Sequence, residues 1–271
     1  MPEMHMLPDN NSAREWLNAI GVKRLIVISP HLDDAVLSVA GLLRAASARA
    51  QVLTVFTEAD PQYGMAWAQA AGFKDAREEH AARRLEDMRA MHYLGCGHVH
   101  AGLRSGELTG DTAQGLLKGL SDTHAPVPSD TLFLLPAASG GTRPYTWFQK
   151  LRNRLLRLPF GAPSHPEHEQ VRDQMWSVLS SRAARVGFYA DLPYAWRQSD
   201  TKIQAELEAR TARPLEAIHI RADLQDKLAA TGHYPSQMQL ILGNTPAYQQ
   251  RVLSRPECIF LVKTPSMTGT P

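Results

Sequence analysis

His31, Asp33 and Asp34 stand within four residues in the segment SPHLDDAVLS (29–38). Two adjacent carboxylates are costly to bury without a partner. A divalent cation removes that cost and accepts both nitrogen and oxygen ligands. The same residues suit a plainer role, with Asp33 and Asp34 capping a following helix and His31 in its loop. A second cluster, SHPEH (164–168), places His168 137 residues beyond His31. His165 and His168 are three apart, so one imidazole can ligate a metal while the other works on substrate. The plainer reading here is an exposed helix start with Glu167 near the positive end of the dipole.

The two clusters are more specific together than apart. A catalytic zinc typically has three protein ligands and one position open to water. His31, Asp34 and His168 supply three, and Asp33 and His165 remain beside the open position. A base for the water and a donor for the oxyanion or leaving group complete the inventory for metal-assisted hydrolysis.

Such clusters need strands that end at one edge. RLIVIS (24–29) is a continuous apolar run, the pattern of a strand buried on both faces. SPHLDD follows it, a helical period runs from Ala35 to Ala48, and QVLTVFT (51–57) is a second buried strand. Strand, helix, strand is a βαβ unit and predicts a parallel sheet. Helices are expected near 12–20, with Asn11 or Ser12 as cap, and at 75–94, 165–182, 222–231 and 236–242. Asp111 is the expected cap of a helix reaching Leu120. Further strands are expected at 97–101, 131–136, 186–194, 215–220 and 257–262. The alternation predicts one α/β domain over 1–271, with helices on both faces of a mostly parallel sheet and functional groups at the strands' carboxyl ends.

At this point the sequence resembles the PIG-L/LmbE-like zinc-dependent N-deacetylases. SPHLDD after the first buried strand, with HPEH far downstream, is similar to that family's paired motifs. ARRLEDMRAMHYLG (82–95), FYADLPYA (188–195), and Lys227 followed by YPSQ (234–237) resemble its further segments. The resemblance covers about residues 24–242 and implies a Rossmann-like three-layer sandwich. It implies His31, Asp34 and His168 as ligands of Zn²⁺, with Fe²⁺ as the alternative. It also implies Asp33 as general base and His165 as acid or transition-state stabiliser, with Arg83 and Asp191 as secondary substrate-binding candidates. Asp191 could alternatively orient a metal-bound histidine. The expected reaction is removal of an acetyl group from an N-acetyl amino sugar of a glycoconjugate or natural-product intermediate. Another amide or ester hydrolysis on the same site, or a non-catalytic sugar-binding protein, are the alternatives. Two departures stand out: Leu32 and Ala35 replace the family's Pro and trailing acid, and roughly 25 extra residues separate Pro136 from His165.

Composition adds exclusions. The 271 residues carry 29 Lys and Arg against 27 Asp and Glu, a net of +2 that does not suggest a nucleic-acid binder. Two cysteines cannot make a disulfide framework, and the N-terminus lacks a secretory pattern, so a cytoplasmic location is expected. CGHVH (96–100) lacks a fourth ligand of zinc-ribbon spacing, and SGGT (139–142) lacks a P-loop lysine. Five basic residues and no acid fall within 131–166, leaving 24 basic and 27 acidic residues elsewhere. This patch forms an amphipathic insertion at about 139–163. Its stretch 143–158 reads either as a packed lid or as a helix at the inner membrane face, touching anionic lipid or a lipid-linked substrate.

Overall fold

The computed structural model describes residues 5–60, 64–120, 129–140, 164–182 and 184–263. The insertion at 139–163, and with it the expected helix at 143–158, falls almost wholly outside them. Eight strands form one sheet: β1 (His5–Leu7), β2 (Arg24–Ser29), β3 (Ala50–Phe56), β4 (Gly97–Leu103), β5 (Thr131–Pro136), β6 (Arg185–Tyr189), β7 (Leu215–Ile220) and β8 (Glu257–Val262). Their spatial order is β1-β7-β8-β6-β5-β2-β3-β4. All neighbouring pairs are parallel except those of β8, which runs antiparallel to β6 and β7. The apolar runs of β2 and β5 are buried almost throughout, as central strands of a covered sheet must be.

Helices pack around this sheet: α1 (Asn10–Ala19), α2 (Asp34–Ala46), α3 (Met65–Ala70), α4 (Ala76–Leu94), α5 (Gly110–Leu120), α6 (Pro166–Ser180), α7 (Asp200–Thr211), α8 (Leu224–Thr231), α9 (Pro235–Leu242) and α10 (Pro246–Leu253). The cap of α1 is Asp9, not Asn11 or Ser12. Its carboxylate accepts from Ser12 N at 2.7 Å, which starts the helix earlier than its apolar period. Asp111 likewise lies inside the first turn of α5. The strand β1 and the helix α3 are too short for a sequence pattern, and α7 carries a weak apolar period.

The site-bearing helix α2 is buried on nearly every side. It kinks at Val39 (φ −137°, ψ 31°). Glu257 accepts from Gly41 N at 2.9 Å and Leu42 N at 3.1 Å, satisfying amides just past the kink. Lys227 Nζ lies 3.1 Å from Glu257, and both side chains are essentially inaccessible. Gly41 is required by close approach, since a Cβ there would stand 2.4 Å from Ala222 Cβ. The late lysine of the sequence motif therefore anchors the helix that follows the first cluster.

Candidate metal centre

Three strands bring the site together. In the order β6-β5-β2 they are adjacent and parallel, so all three end on one edge of the sheet. His31, Asp33 and Asp34 follow β2, His165 and His168 follow β5, and Asp191 follows β6. With β3 on the other side of β2, the clusters sit where successive connections leave in opposite directions, the crevice such sheets use for ligands.

Asp33 precedes α2 but makes no capping bond. Instead, Ser29 Oγ accepts from Ala35 N at 3.1 Å, and Arg83 Nη2 donates to Asp33 at 3.2 Å. Asp33 is thus released from the helix and lines a cavity of about 750 Å³. Asp34 Oδ2 accepts from His31 N at 2.9 Å, lies 3.0 Å from His31 Nδ1 and 3.1 Å from His168 Nε2. His165 starts α6, its Nδ1 accepting from Glu167 N at 3.3 Å, with Pro166 preset for the first turn. Tyr194 packs edge-on against His168, ring centres 4.9 Å apart.

His168 is fully buried, and Asp191 Oδ2 accepts from its Nδ1 at 2.7 Å. The other Asp191 oxygen accepts from Ser139 N at 2.8 Å. Asp191 is itself inaccessible and absent from the cavity lining, so of its two expected roles the geometry favours the one toward a histidine. It orients a histidine, as carboxylates behind metal-bound imidazoles do. Arg83 does line the cavity, its guanidinium bridging Asp33 and Glu79 at 3.2 and 3.1 Å.

The donor set fits a divalent cation. His31, Asp34 and His168 each present a ligand atom within 4.8 Å of the others. His168 Nε2 is buried and makes no aligned hydrogen bond, its nearest polar contact being Asp34 Oδ2 at 3.1 Å, as suits two ligands of one metal. Charges agree. Burial alone would keep His168 neutral, yet the Asp34 charge and the Asp191 hydrogen bond push it up to about 10. Burial would raise Asp34, but His168 and His31 hold it well below the usual carboxylate range. Two carboxylates thus attract a positive charge to the place where a metal would sit. Burial, opposed by Arg83, pushes Asp33 up to about 7. Burial, with His31 and His168 nearby, pushes His165 down to about 4.

Sequence reasoning missed Glu167, which lies 2.6 Å from His31 Nε2 and forms an alternative ligand grouping with His31 and His165. Its position on the helix dipole was legible; its reach to His31 was not. Glu79, Trp67 and Gln237 also line the cavity. Trp67 Nε1 donates to Gln237 at 2.9 Å, and Gln237 Nε2 donates to Glu79 at 3.3 Å. The YPSQ motif was the only sequence signal for that chain of contacts. His100 and Cys96 have other roles than metal: His100 Nε2 meets Asp87 at 2.8 Å, and the Cys96 thiol donates to Leu43 O.

An α/β sandwich with a His-Asp-His set and a separate buried carboxylate at its strand ends defines a metal-dependent hydrolase. No protein-family model matches the chain. Among curated proteins it is 28% identical over 234 residues to 2′-N-acetylparomamine deacetylase of Streptomyces fradiae, covering 79% of this chain and 73% of that one. Its fold is that of a deacetylase triple mutant from the teicoplanin biosynthetic pathway (TM-score 0.64, 24% identity, 90% of this chain and 100% of that one). It is also that of the A40926 pseudoaglycone deacetylase Dbv21 (TM-score 0.61, 22% identity, 89% and 96%). The chain is thus similar in sequence to one named deacetylase and shares the fold of others.

Proposed function

We propose that this protein removes the acetyl group from an N-acetyl amino sugar by metal-assisted hydrolysis. The observation that carries this reading is His168, held by Asp191 with its buried Nε2 turned to Asp34 at 3.1 Å, next to a carboxylate that caps nothing. The curated relative, a deacetylase of an acetylated amino sugar derivative, supports the substrate class. His31, Asp34 and His168 would hold the ion; two imidazoles and one carboxylate suit zinc or ferrous iron. A bound divalent ion polarises an amide carbonyl and makes water acidic enough to attack near neutral pH.

The chain's own groups do the rest. Asp33, positioned by Arg83, accepts the proton of the attacking water. His165 Nδ1 is committed to the Glu167 amide, so the neutral ring carries its proton on Nε2. Burial and the neighbouring His31 and His168 favour the neutral ring, and a neutral His165 would stabilise the transition state by donating a hydrogen bond to the developing oxyanion. Asp33, having taken a proton, is then the group that returns it to the departing amine.

Acetate release from N-acetylglucosaminides, with and without a chelator and alongside metal analysis, tests the reading. Chelator-sensitive release with about one metal per chain is expected. Release that persists without metal, or none from any acetamido sugar, overturns it. Among the described residues no helix is long and apolar enough to cross a membrane. We also propose a cytoplasmic location, with 143–158 as the contact to anionic lipid. Unchanged sedimentation with anionic vesicles on deleting that stretch would refute the contact.

A further inference from the structure

Beside the ligand set, the cavity has an apolar wall of Phe56, Trp67, Leu240 and Ile241, which no step of the reaction uses. Trp67 stands on α3 and is 42% exposed, although an aromatic ring gains by covering itself with neighbouring apolar surface. A hydrogen bond holds it out. Its indole Nε1 donates to Gln237 Oε1 at 2.9 Å, and Gln237 is inaccessible. The Gln237 amide is fixed in turn, since its Nε2 donates to Glu79 Oε1 at 3.3 Å and to Ser236 Oγ at 3.0 Å. A carboxylate only accepts and an indole only donates, so the reversed amide would set like groups against each other at both ends. The same Glu79 oxygen accepts from Arg83, whose guanidinium reaches Asp33 at 3.2 Å. An unbroken run of contacts thus ties the indole to the group that takes the water's proton.

The face of an aromatic ring carries partial negative charge. The axial C–H bonds of a pyranose carry partial positive charge and end in one plane, so a closed sugar ring covers such a face and an open chain does not. A side chain that is already oriented loses little freedom when it binds. Among the described residues Trp67 is the single tryptophan that lines the cavity. The cavity, about 750 Å³, has room for a sugar ring beside an acetamide at the ligand set.

We propose that Trp67 is a specificity-determining residue: its open face stacks on the pyranose ring of the acetamido sugar and selects closed rings over acyclic acetamides. Gln237 holds that face open. This rests on the deacetylase reading and adds to it the residue that reads the ring.

The test uses two compounds that share the acetamide and differ in the ring: methyl N-acetylglucosaminide, which is closed, and N-acetylglucosaminitol, its open-chain counterpart. For the metal-loaded enzyme, kcat/KM is read from acetate release, and Kd from calorimetry on the metal-loaded Asp33→Asn protein. Trp67→Leu keeps an apolar side chain without a ring face. It should lower the preference for the closed compound by ~3–10-fold in both measurements, the scale of one specific aromatic contact. The loss should fall on KM for the closed compound, with kcat within about twofold, as for binding shared by ground and transition states. The closed compound should also change the tryptophan emission of the Asp33→Asn protein, and not that of the same protein carrying Trp67→Phe. A preference altered by less than about 3-fold, below the scale of such a contact, would overturn the proposal. An equal loss for both compounds would do the same, since it marks Trp67 as a support of Asp33 through Gln237. Should Trp67→Leu fail to fold, as read by thermal unfolding, the emission decides: a change that requires both the closed ring and Trp67 supports the proposal, and its absence refutes it. If neither compound releases acetate, the deacetylase reading fails instead, and the emission decides the role of Trp67 by the same rule.

Discussion

Asp191→Asn separates orientation of a metal ligand from its mere presence. Both carboxylate oxygens of Asp191 accept: one from His168 Nδ1 at 2.7 Å, the other from Ser139 N at 2.8 Å. An amide of the same shape has one acceptor and one donor, so it satisfies only one of these partners. If its oxygen keeps Ser139, its NH₂ faces His168 Nδ1, which must then accept. The imidazole proton moves to Nε2 and occupies the atom offered to the metal. If its oxygen keeps His168, two donors meet at Ser139 in an inaccessible place, at a cost of ~1–3 kcal/mol in stability. The first arrangement keeps the fold and weakens the metal. Loss of such a supporting carboxylate typically costs 10–100-fold in affinity, which is ~1.4–2.7 kcal/mol. Competition between a fluorescent zinc chelator and the protein reads the affinity, and thermal unfolding of the metal-free form reads the second arrangement. A variant that keeps zinc affinity within about twofold and unfolds at the wild-type temperature would refute the assignment of Asp191.

Three further outcomes follow from other contacts. Asp33→Asn should retain a full complement of metal by elemental analysis while kcat for acetate release falls by ~10²–10⁴, the usual loss for a general base; near-native turnover would remove Asp33 from that role. Lys227→Met leaves Glu257 buried with only Gly41 N and Leu42 N as donors, so stability should fall by ~3–5 kcal/mol, read by urea unfolding. Asp200 is held below the ordinary carboxylate range: burial opposes this, but His219 at 3.0 Å and Arg255 win. A depressed folded value stabilises above the unfolded pKa of about 3.9, and that stability is lost as pH falls through the lower folded value. Asp200→Asn should therefore lower Tm at pH 7, with the difference from wild type closing as pH drops below about 4.

The sheet's centre and the clusters containing His31, Asp34 and His168 were legible because their signals are local. RLIVIS and TLFLLP are apolar throughout, which only doubly covered strands require, and each ends where a cluster begins. Adjacency of β2, β5 and β6 was not legible, since strand order depends on which crossovers pack and not on any one segment. The antiparallel insertion of β8 between β6 and β7 escaped for the same reason. Asp191 was placed at the right edge with two roles open, orienting a histidine or meeting substrate, because sequence does not say which strand-end groups face the cavity. Glu167 shows the reverse case: its residue type reads as helix-dipole chemistry, and only the fold brings its carboxylate to His31.

Three aspartates within this site show how far environment overrides residue type. Asp34 sits between two imidazoles and stays ionised, so it can only be a ligand or a counter-charge. Asp191 receives hydrogen bonds on both oxygens and has no access to the cavity, so its sole effect is to fix the His168 ring and its tautomer. Asp33 is as buried as Asp34 but meets one guanidinium, which it shares with Glu79, and no imidazole within hydrogen-bonding distance. Burial, opposed by that guanidinium, lifts it to about 7, where it can gain and lose a proton near neutral pH. Distinct surroundings that drive like groups apart are how one site divides acid–base work. The division depends on α2 beginning without an aspartate cap: Ser29 serves the Ala35 amide, and that substitution frees Asp33 for chemistry.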